Sequence, residues 1–554
     1  MKIKRNALIV VLTLILSGFL FTSLNNTDNK NFEIAKNLDI YYTLFRELNT
    51  FYVDDVDPGK LVKTSIDEML ESLDPYTTYI PESDIEDFRF MTTGEYGGIG
   101  ALISKHGKNI VVSEPYEGFP AQKAGLKAGD IFLEVAGKSV ENLNTDDVSN
   151  LLKGAADEPV KVKVQRYGEK KALTFDIIRE KISIDPISYY GMLDDKTGYI
   201  RLNNFTKDCG EKVKKALLEL KDVKGAEQLI LDLRGNPGGL LMESVNIANL
   251  FIGKDQEVVS TKGKVSQWDK SYKTTGNPVD TLMPLAVLVN RGSASASEIV
   301  SGTIQDLDRG VVLGDRTFGK GLVQTTRDLS YNAKLKVTTA KYYIPSGRCI
   351  QALDYSNRNE DGSVGHVPDS LISEFETRNG RKVYDGGGVR PDIEVENEKI
   401  SNLSIKLIQQ FKIFDFATKF AAENNTIAQA EEFEISDEIY TDFINFVEDG
   451  SFNYTSRTQQ MLEELREQAE EEKYYELANE QFEALKTKLE LDLDRDLKKF
   501  REEISSLLKS EIVSRYYYQT GTAKATINED KTIARALKLL SNPSEYIKIL
   551  SSPE

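Results

Sequence analysis

Apolar residues recur at i, i+3 and i+4 through "IAKNLDIYYTLFRELNTFYV" and "GKLVKTSIDEMLESL", so residues 32–90 read as a helical segment broken by the turns "VDPG" and "LDPYTTYIPE". From about 94 to 180 the pattern changes to short β-rich runs such as "VKVKVQRYGEKKALTFDIIRE", separated by Gly-bearing turns, with one helix near "TDDVSNLLKG". These runs predict a small β-module. Between about 185 and 400, apolar strands ("EQLILDL", "LAVLVN", "GVVLGD") alternate with helices ("CGEKVKKALLELKD", "ESVNIANLF" and one from Ser297), which predicts an α/β domain with buried strands. The polar stretch 352–385 inside it reads as an inserted surface lobe. Residues 401–554 are helical in pattern, with a long charged run from "QMLEELREQ" to "FREEISSLL".

Composition changes this picture in three places. A formal net charge of −18 argues against nucleic acid as a partner, because phosphate binding needs clustered Lys and Arg. Residues 401–554 hold 30 Asp and Glu against 19 Lys and Arg, the balance of a solvated packing arm. At the N-terminus, Lys2, Lys4 and Arg5 precede an apolar run from Ala7 to Phe21. That run is short for a membrane span, so residues 1–25 read as an export signal or retained anchor, and the protein as exported to the periplasm or cell envelope. Two cysteines, Cys209 and Cys349, make neither a disulfide framework nor a multi-cysteine metal site.

The chemistry centres on "LAVLVNRGSASASEIV", where a buried strand turns into a helix through Ser293, Ser295 and Ser297. A serine there can be a nucleophile with helix amides beside it, yet on this stretch alone a helix cap is the stronger reading. His106 and His366 lie in loop-like segments that do not align with the turn. Lys320, between two glycines in "GDRTFGKGLVQTT", is the remaining base, provided burial brings it down from about 10.4. If that segment is extended, Lys320 and Gln324 share a face, and the amide can orient the amine. "LILDLRGNPGGLL" ends a strand in a glycine loop able to offer bare N–H groups to an oxyanion, and it lacks the GK[ST] ending of a phosphate loop.

The pieces "LDPYTTYIPE", "GGIGA", "DLRGNPGG", "NRGSASASEI", "GDRTFGKGLVQ", "YYIPSGR" and "GVRPDIEV" occur in one order over about residues 35–396. Together they resemble the carboxyl-terminal processing peptidases, the tail-specific serine proteases of the S41 family. The resemblance implies a multidomain α/β fold: a crotonase/ClpP-like α/β protease core (185–400) with an inserted β-rich PDZ domain (94–180), an N-terminal helical segment and a C-terminal helical domain. It implies a lysine base 25 residues after the nucleophile, which selects Ser295 with Lys320 and leaves Ser293 and Ser297 as turn and cap residues. Gln324 would hold the lysine, and the oxyanion hole would be the N–H of Ala296 with that of Gly239 or Gly238. In the PDZ domain the amides of Gly98, Ile99, Gly100 and Ala101 would bind a terminal carboxylate, Ile99 and Leu102 would line the side-chain pocket, and Arg166 would sense the bound tail. No metal or cofactor is implied. The expected substrates are proteins or peptides with free apolar C-termini, in the cell envelope, with a homodimer and an adaptor protein as further candidate partners. The rival readings are a PDZ scaffold that keeps the protease fold without catalysis and a histidine-based serine hydrolase.

Overall fold

The computed structural model describes residues 30–359, 361–396, 400–448, 452, 457–489 and 492–551, so the export segment expected at 1–25 lies outside the described residues. The chain divides into two units, Met1–Tyr79 and Ile80–Glu554. Among its described residues the first contains two helices, α1 (residues 30–51) and α2 (Pro58–Glu71). Asp57 caps α2 by accepting the N–H of Lys60, and Pro58 fits the first turn, where no N–H is needed. Tyr41 meets Ser65 at 2.5 Å between the helices, while Phe32, Leu38, Tyr42, Phe51 and Tyr52 stay exposed.

In the second unit, strands β1 (Glu95–Gly98) and β7 (Glu180–Ser183) pair antiparallel and carry the chain into and out of the β-module. The module is a sheet in the order β2 (Ala101–His106), β3 (Asn109–Pro115), β4 (Ile131–Val135), β5 (Pro159–Gln165) and β6 (Leu173–Ile178). Its helix α3 (Thr145–Leu152) starts at a capping box in which Asn144 and Asp147 exchange side-chain to main-chain bonds. Strand β2 forms one edge of the sheet.

The α/β core is a six-stranded sheet in the order β8 (Ile187–Met192), β9 (Thr197–Leu202), β10 (Gln228–Asp232), β11 (Leu285–Val289), β12 (Val311–Gly314) and β15 (Ile393–Glu394). Only the β8–β9 pair is antiparallel. Successive residues of β10 and β11 face opposite sides, and both faces are covered, which explains their unbroken apolar runs. Leu229, Leu231, Val287 and Val289 pack with helices α4 (Leu241–Phe251) and α5 (Ala296–Asp306). Ile230, Ala286 and Leu288 face the other way, against Ile533, Ala536, Leu539 and Tyr546 of the last two helices. Strands β13 (Leu322–Asp328) and β14 (Lys334–Tyr343) form an antiparallel pair beside the core. The segment expected as an inserted lobe contains two small antiparallel strand pairs, Leu353–Arg358 with Val364–His366 and Glu374–Glu376 with Lys382–Tyr384.

The C-terminal region departs from a charged arm. Leu403, Leu407, Phe416, Phe443, Leu497, Ile504 and Ile512 build a separate apolar core. The long charged run is not one helix: it divides into Arg457–Glu471, Tyr475–Lys488, Leu493–Lys499 and α6 (Arg501–Ile527), which is itself kinked at Tyr518, with a reversal at Lys473, where φ is +63°. Helices α7 (Lys531–Leu540) and α8 (Pro543–Leu550) then cover one face of the six-stranded sheet, and the Tyr546 hydroxyl bonds the main chain of Leu285.

Candidate active site

Strand β11 ends at Val289, and after a turn of six residues the chain enters α5 at Ala296, whose eleven residues are all buried. The three serines of this turn differ sharply. Ser293 is fully buried and donates its hydroxyl to the carbonyl of Leu233 at 2.8 Å. Ser297, expected to cap the helix, lies inside it instead; it is fully buried and donates to the carbonyl of Asn236 at 2.8 Å. The cap position belongs to Ser295, which is half-buried and has φ +55° and ψ −112°. A serine in that region is strained and persists only where its surroundings over-determine it.

Those surroundings centre on Glu298, a residue the sequence reading did not assign. Its carboxylate is fully buried and accepts four donors: Thr317 Oγ1 at 2.6 Å and the N–H of Gly319 at 2.7 Å on Oε1, the N–H of Ser295 at 2.8 Å and of Lys320 at 2.9 Å on Oε2. Sharing one oxygen puts the main-chain nitrogens of Ser295 and Lys320 at most about 5.7 Å apart. Burial pushes the Glu298 carboxyl up to about 7, against the pull of the donors towards the carboxylate. The signal for this residue was the S-x-x-E spacing of a capping box.

The glycine loop after β10 closes against the same turn. The Asn236 carbonyl takes the N–H of Ala294 at 3.0 Å as well as the Ser297 hydroxyl, so loop and turn share an acceptor. Its side chain donates to the Leu202 carbonyl at 2.8 Å and accepts the N–H of Gly238 at 2.9 Å. With the Gly238 amide so engaged, Gly239 is the freer donor of the two glycines considered. A Cβ on Gly238 would stand 2.8 Å from Ser295 Cβ and 3.0 Å from the nitrogen of Ala296, so this position requires glycine.

Lys320 is half-buried and precedes β13, in which the Gln324 amide donates to Thr338 Oγ1 at 3.2 Å. His106 lies on the β-module and bonds Asp415 at 2.8 Å, with its ring tilted against that of Phe411 at a centroid separation of 4.2 Å, so it is an interdomain contact rather than a solvated residue. His366 is exposed on a strand that pairs with Leu353–Arg358. Both cysteines are free. Among the described residues no group of three or more His, Cys, Asp or Glu stands together as a metal cradle.

In the β-module, Gly100 has φ +72°, and the carbonyls of Ile99 and Gly100 accept the N–H groups of Ala121 and Tyr116. The Ile99 side chain, expected in a ligand pocket, is packed in the module's core, whereas Leu102 is 48% exposed. Arg166 makes a two-pronged bond to Asp130 at 2.8 and 2.7 Å and a third to the Gly125 carbonyl at 2.7 Å. It lines a cavity of about 300 Å³ facing Thr418 and Arg515 of the helical domain.

Comparison with known proteins defines the class of this α/β core as a serine-type peptidase. Residues 196–356 match "Peptidase family S41", residues 111–166 match "PDZ domain", and residues 403–540 match "Probable PDZ-protease, C-terminal helical domain". The chain is 34% identical over 353 residues to the "Carboxy-terminal-processing protease" of Bartonella bacilliformis, covering 63% of this chain and 77% of that protein. It is 33% identical over 415 residues to the "Probable CtpA-like serine protease" of Staphylococcus aureus (strain COL), covering 74% of each. The solved "Photosystem II D1 C-terminal processing protease" is similar at 31% identity, with a TM-score of 0.36 over 64% of this chain and 92% of that chain. The chain belongs to peptidase family S41.

Proposed function

We propose that the protein is an exported endopeptidase that holds substrate C-termini in its PDZ domain and cleaves peptide bonds with a Ser295–Lys320 dyad. The observation that carries this reading is Glu298, whose single carboxylate oxygen binds the main chain of both residues, next to the one half-exposed serine of the three. In the proposed reaction the neutral amine of Lys320 takes the Ser295 proton as Oγ attacks the peptide carbonyl. The oxyanion accepts the N–H groups of Ala296 and Gly239, Lys320 returns the proton to the leaving amine, and water resolves the acyl-enzyme. Gln324 supports the lysine from β13. This chemistry needs no metal or cofactor.

For recognition, the substrate tail adds as a strand along β2, with its carboxylate on the amides of Gly98, Ile99, Gly100 and Ala101, its side chain against Leu102, and Arg166 responding to the bound tail. The exposed apolar positions of α1 and α2 support pairing of two copies, and residues 1–25 direct export to the envelope.

The test is cleavage of an unfolded protein with a free apolar C-terminus by the wild type and by Ser295→Ala, Lys320→Ala and His366→Ala. Loss in the first two with activity kept in the third is expected. Cleavage that survives Ser295→Ala refutes the serine mechanism, and loss in His366→Ala transfers the base to histidine.

A further inference from the structure

The glycine loop is tied to a part of the chain almost three hundred residues away. Arg234, immediately before Gly235, is 15% exposed in its side chain and lies between two carboxylates. One is Asp232, fully buried, which accepts Nη2 at 2.6 Å and Nε at 3.0 Å and also takes the Tyr199 hydroxyl at 2.7 Å. The other is Asp530, which meets Nη1 through Oδ1 at 3.0 Å and Oδ2 at 2.7 Å. Burial opposes the charge of Arg234, but the two carboxylates more than offset it and raise its pKa.

The two bonds do different work. Asp232 stands two residues before Arg234 on the same strand end, so their bond travels with the loop. Asp530 belongs to another domain. Its Oδ1 accepts the N–H groups of Thr532 and Ile533 and so starts α7, which Ile533, Ala536 and Leu539 anchor beneath the sheet. Asp530 therefore gives the guanidinium a reference outside the loop. It follows the end of α6 by three residues, and α6 touches the PDZ domain through Tyr518, whose hydroxyl accepts from Gln122, and Gln519, which donates to Glu114.

We infer that Asp530 is a positioning residue for the oxyanion-hole loop, acting through Arg234, so that the C-terminal helical domain takes part in acyl transfer and not only in stability. The inference rests on the reading of Ser295 as nucleophile and Gly239 as oxyanion donor. Asp530→Asn separates the two roles of the side chain, because Asn still caps a helix but removes the charge facing Arg234.

The experiment measures kcat and KM of the full chain on a short unstructured peptide with a free apolar C-terminus, alongside melting temperature, for Asp530→Asn, Asp530→Glu, Arg234→Ala and the double variant Arg234→Ala/Asp530→Asn. Asp530→Asn is expected to lower kcat about 10- to 100-fold with KM within about twofold and melting little changed, as for an oxyanion donor loosened rather than removed. Asp530→Glu should recover most of that loss, and the double variant should be no worse than Arg234→Ala alone. A kcat within about twofold of wild type in Asp530→Asn, or independent losses in the double variant, overturns the inference. Ser295→Ala run in parallel separates the two failures: activity in that variant removes the nucleophile reading itself, whereas an inactive Ser295→Ala with a normal Asp530→Asn removes only the role of Asp530.

Discussion

Two turns of this molecule offer main-chain N–H groups to a peptide in the reading above, and they are held by different means. At the catalytic turn the fixing groups are side chains with no exposure at all: Ser293, Ser297, Asn236 and Glu298 stitch the end of β10, the glycine loop, the start of α5 and the Lys320 segment together. At the PDZ turn the carbonyls of Ile99 and Gly100 are held by main-chain bonds to Ala121 and Tyr116, at the edge of a sheet. The difference follows from the task. Charge that develops in a transition state is stabilised by donors that do not have to move, whereas strand addition draws affinity from repeated main-chain bonds and tolerates many tails.

The strongest way to break the contrast, after removal of Ser295 itself, is Glu298→Gln. The amide cannot accept all four donors, so the catalytic turn should loosen towards the state of the PDZ turn, with kcat falling about 10²- to 10³-fold and KM little changed. The same residue sets a pH dependence. With its folded carboxyl raised from 4.5 to about 7, the group stabilises the fold fully below pH 4.5, and that stability is lost as pH rises through 7. Urea midpoints measured from pH 4.5 to 8 should therefore fall with pH in the wild type by more than in Glu298→Gln. Activity should run the other way, declining below about 7, because only the carboxylate accepts all four donors. Equal slopes in the two proteins would remove Glu298 as the source.

A smaller effect is expected at the other turn. Gly100→Ala adds a Cβ 2.5 Å from Phe119 Cβ at a φ of +72°. It should raise KM for a free-carboxylate peptide about tenfold and leave cleavage of the C-terminally amidated peptide unchanged, which kinetics on the paired substrates would check. The smallest effect belongs far from both turns. Leu477→Ser, on the helix Tyr475–Lys488 and 82% exposed, should shift stability by less than about 0.5 kcal/mol in urea denaturation.

Patterning carried much of the architecture. The buried runs at 229–231 and 285–289 announce central strands, and the S-A-S-A-S-E stretch announces a turn into a helix. Other features depend on contacts that no local pattern encodes. Glu298 was visible as capping-box spacing, but only the fold brings Lys320 to its other side. Nothing in the sequence around Lys473, neither Gly nor Pro, marks the reversal that splits the charged helical run. The amphipathic pattern of α7 shows that one face is buried without saying against what, which is why part of a region read as a charged packing arm turns out to floor the six-stranded sheet.

That floor imposes an order on biosynthesis. Strands β10 and β11 have left the ribosome long before Ile533, Ala536, Leu539 and Tyr546 exist, and until those residues arrive one apolar side of the sheet has no cover. A nascent chain that has already made Ser295 and Lys320 still lacks Asp530 and the surface that seats it. The sheet that carries both segments is thus finished last, by the final helices to be made.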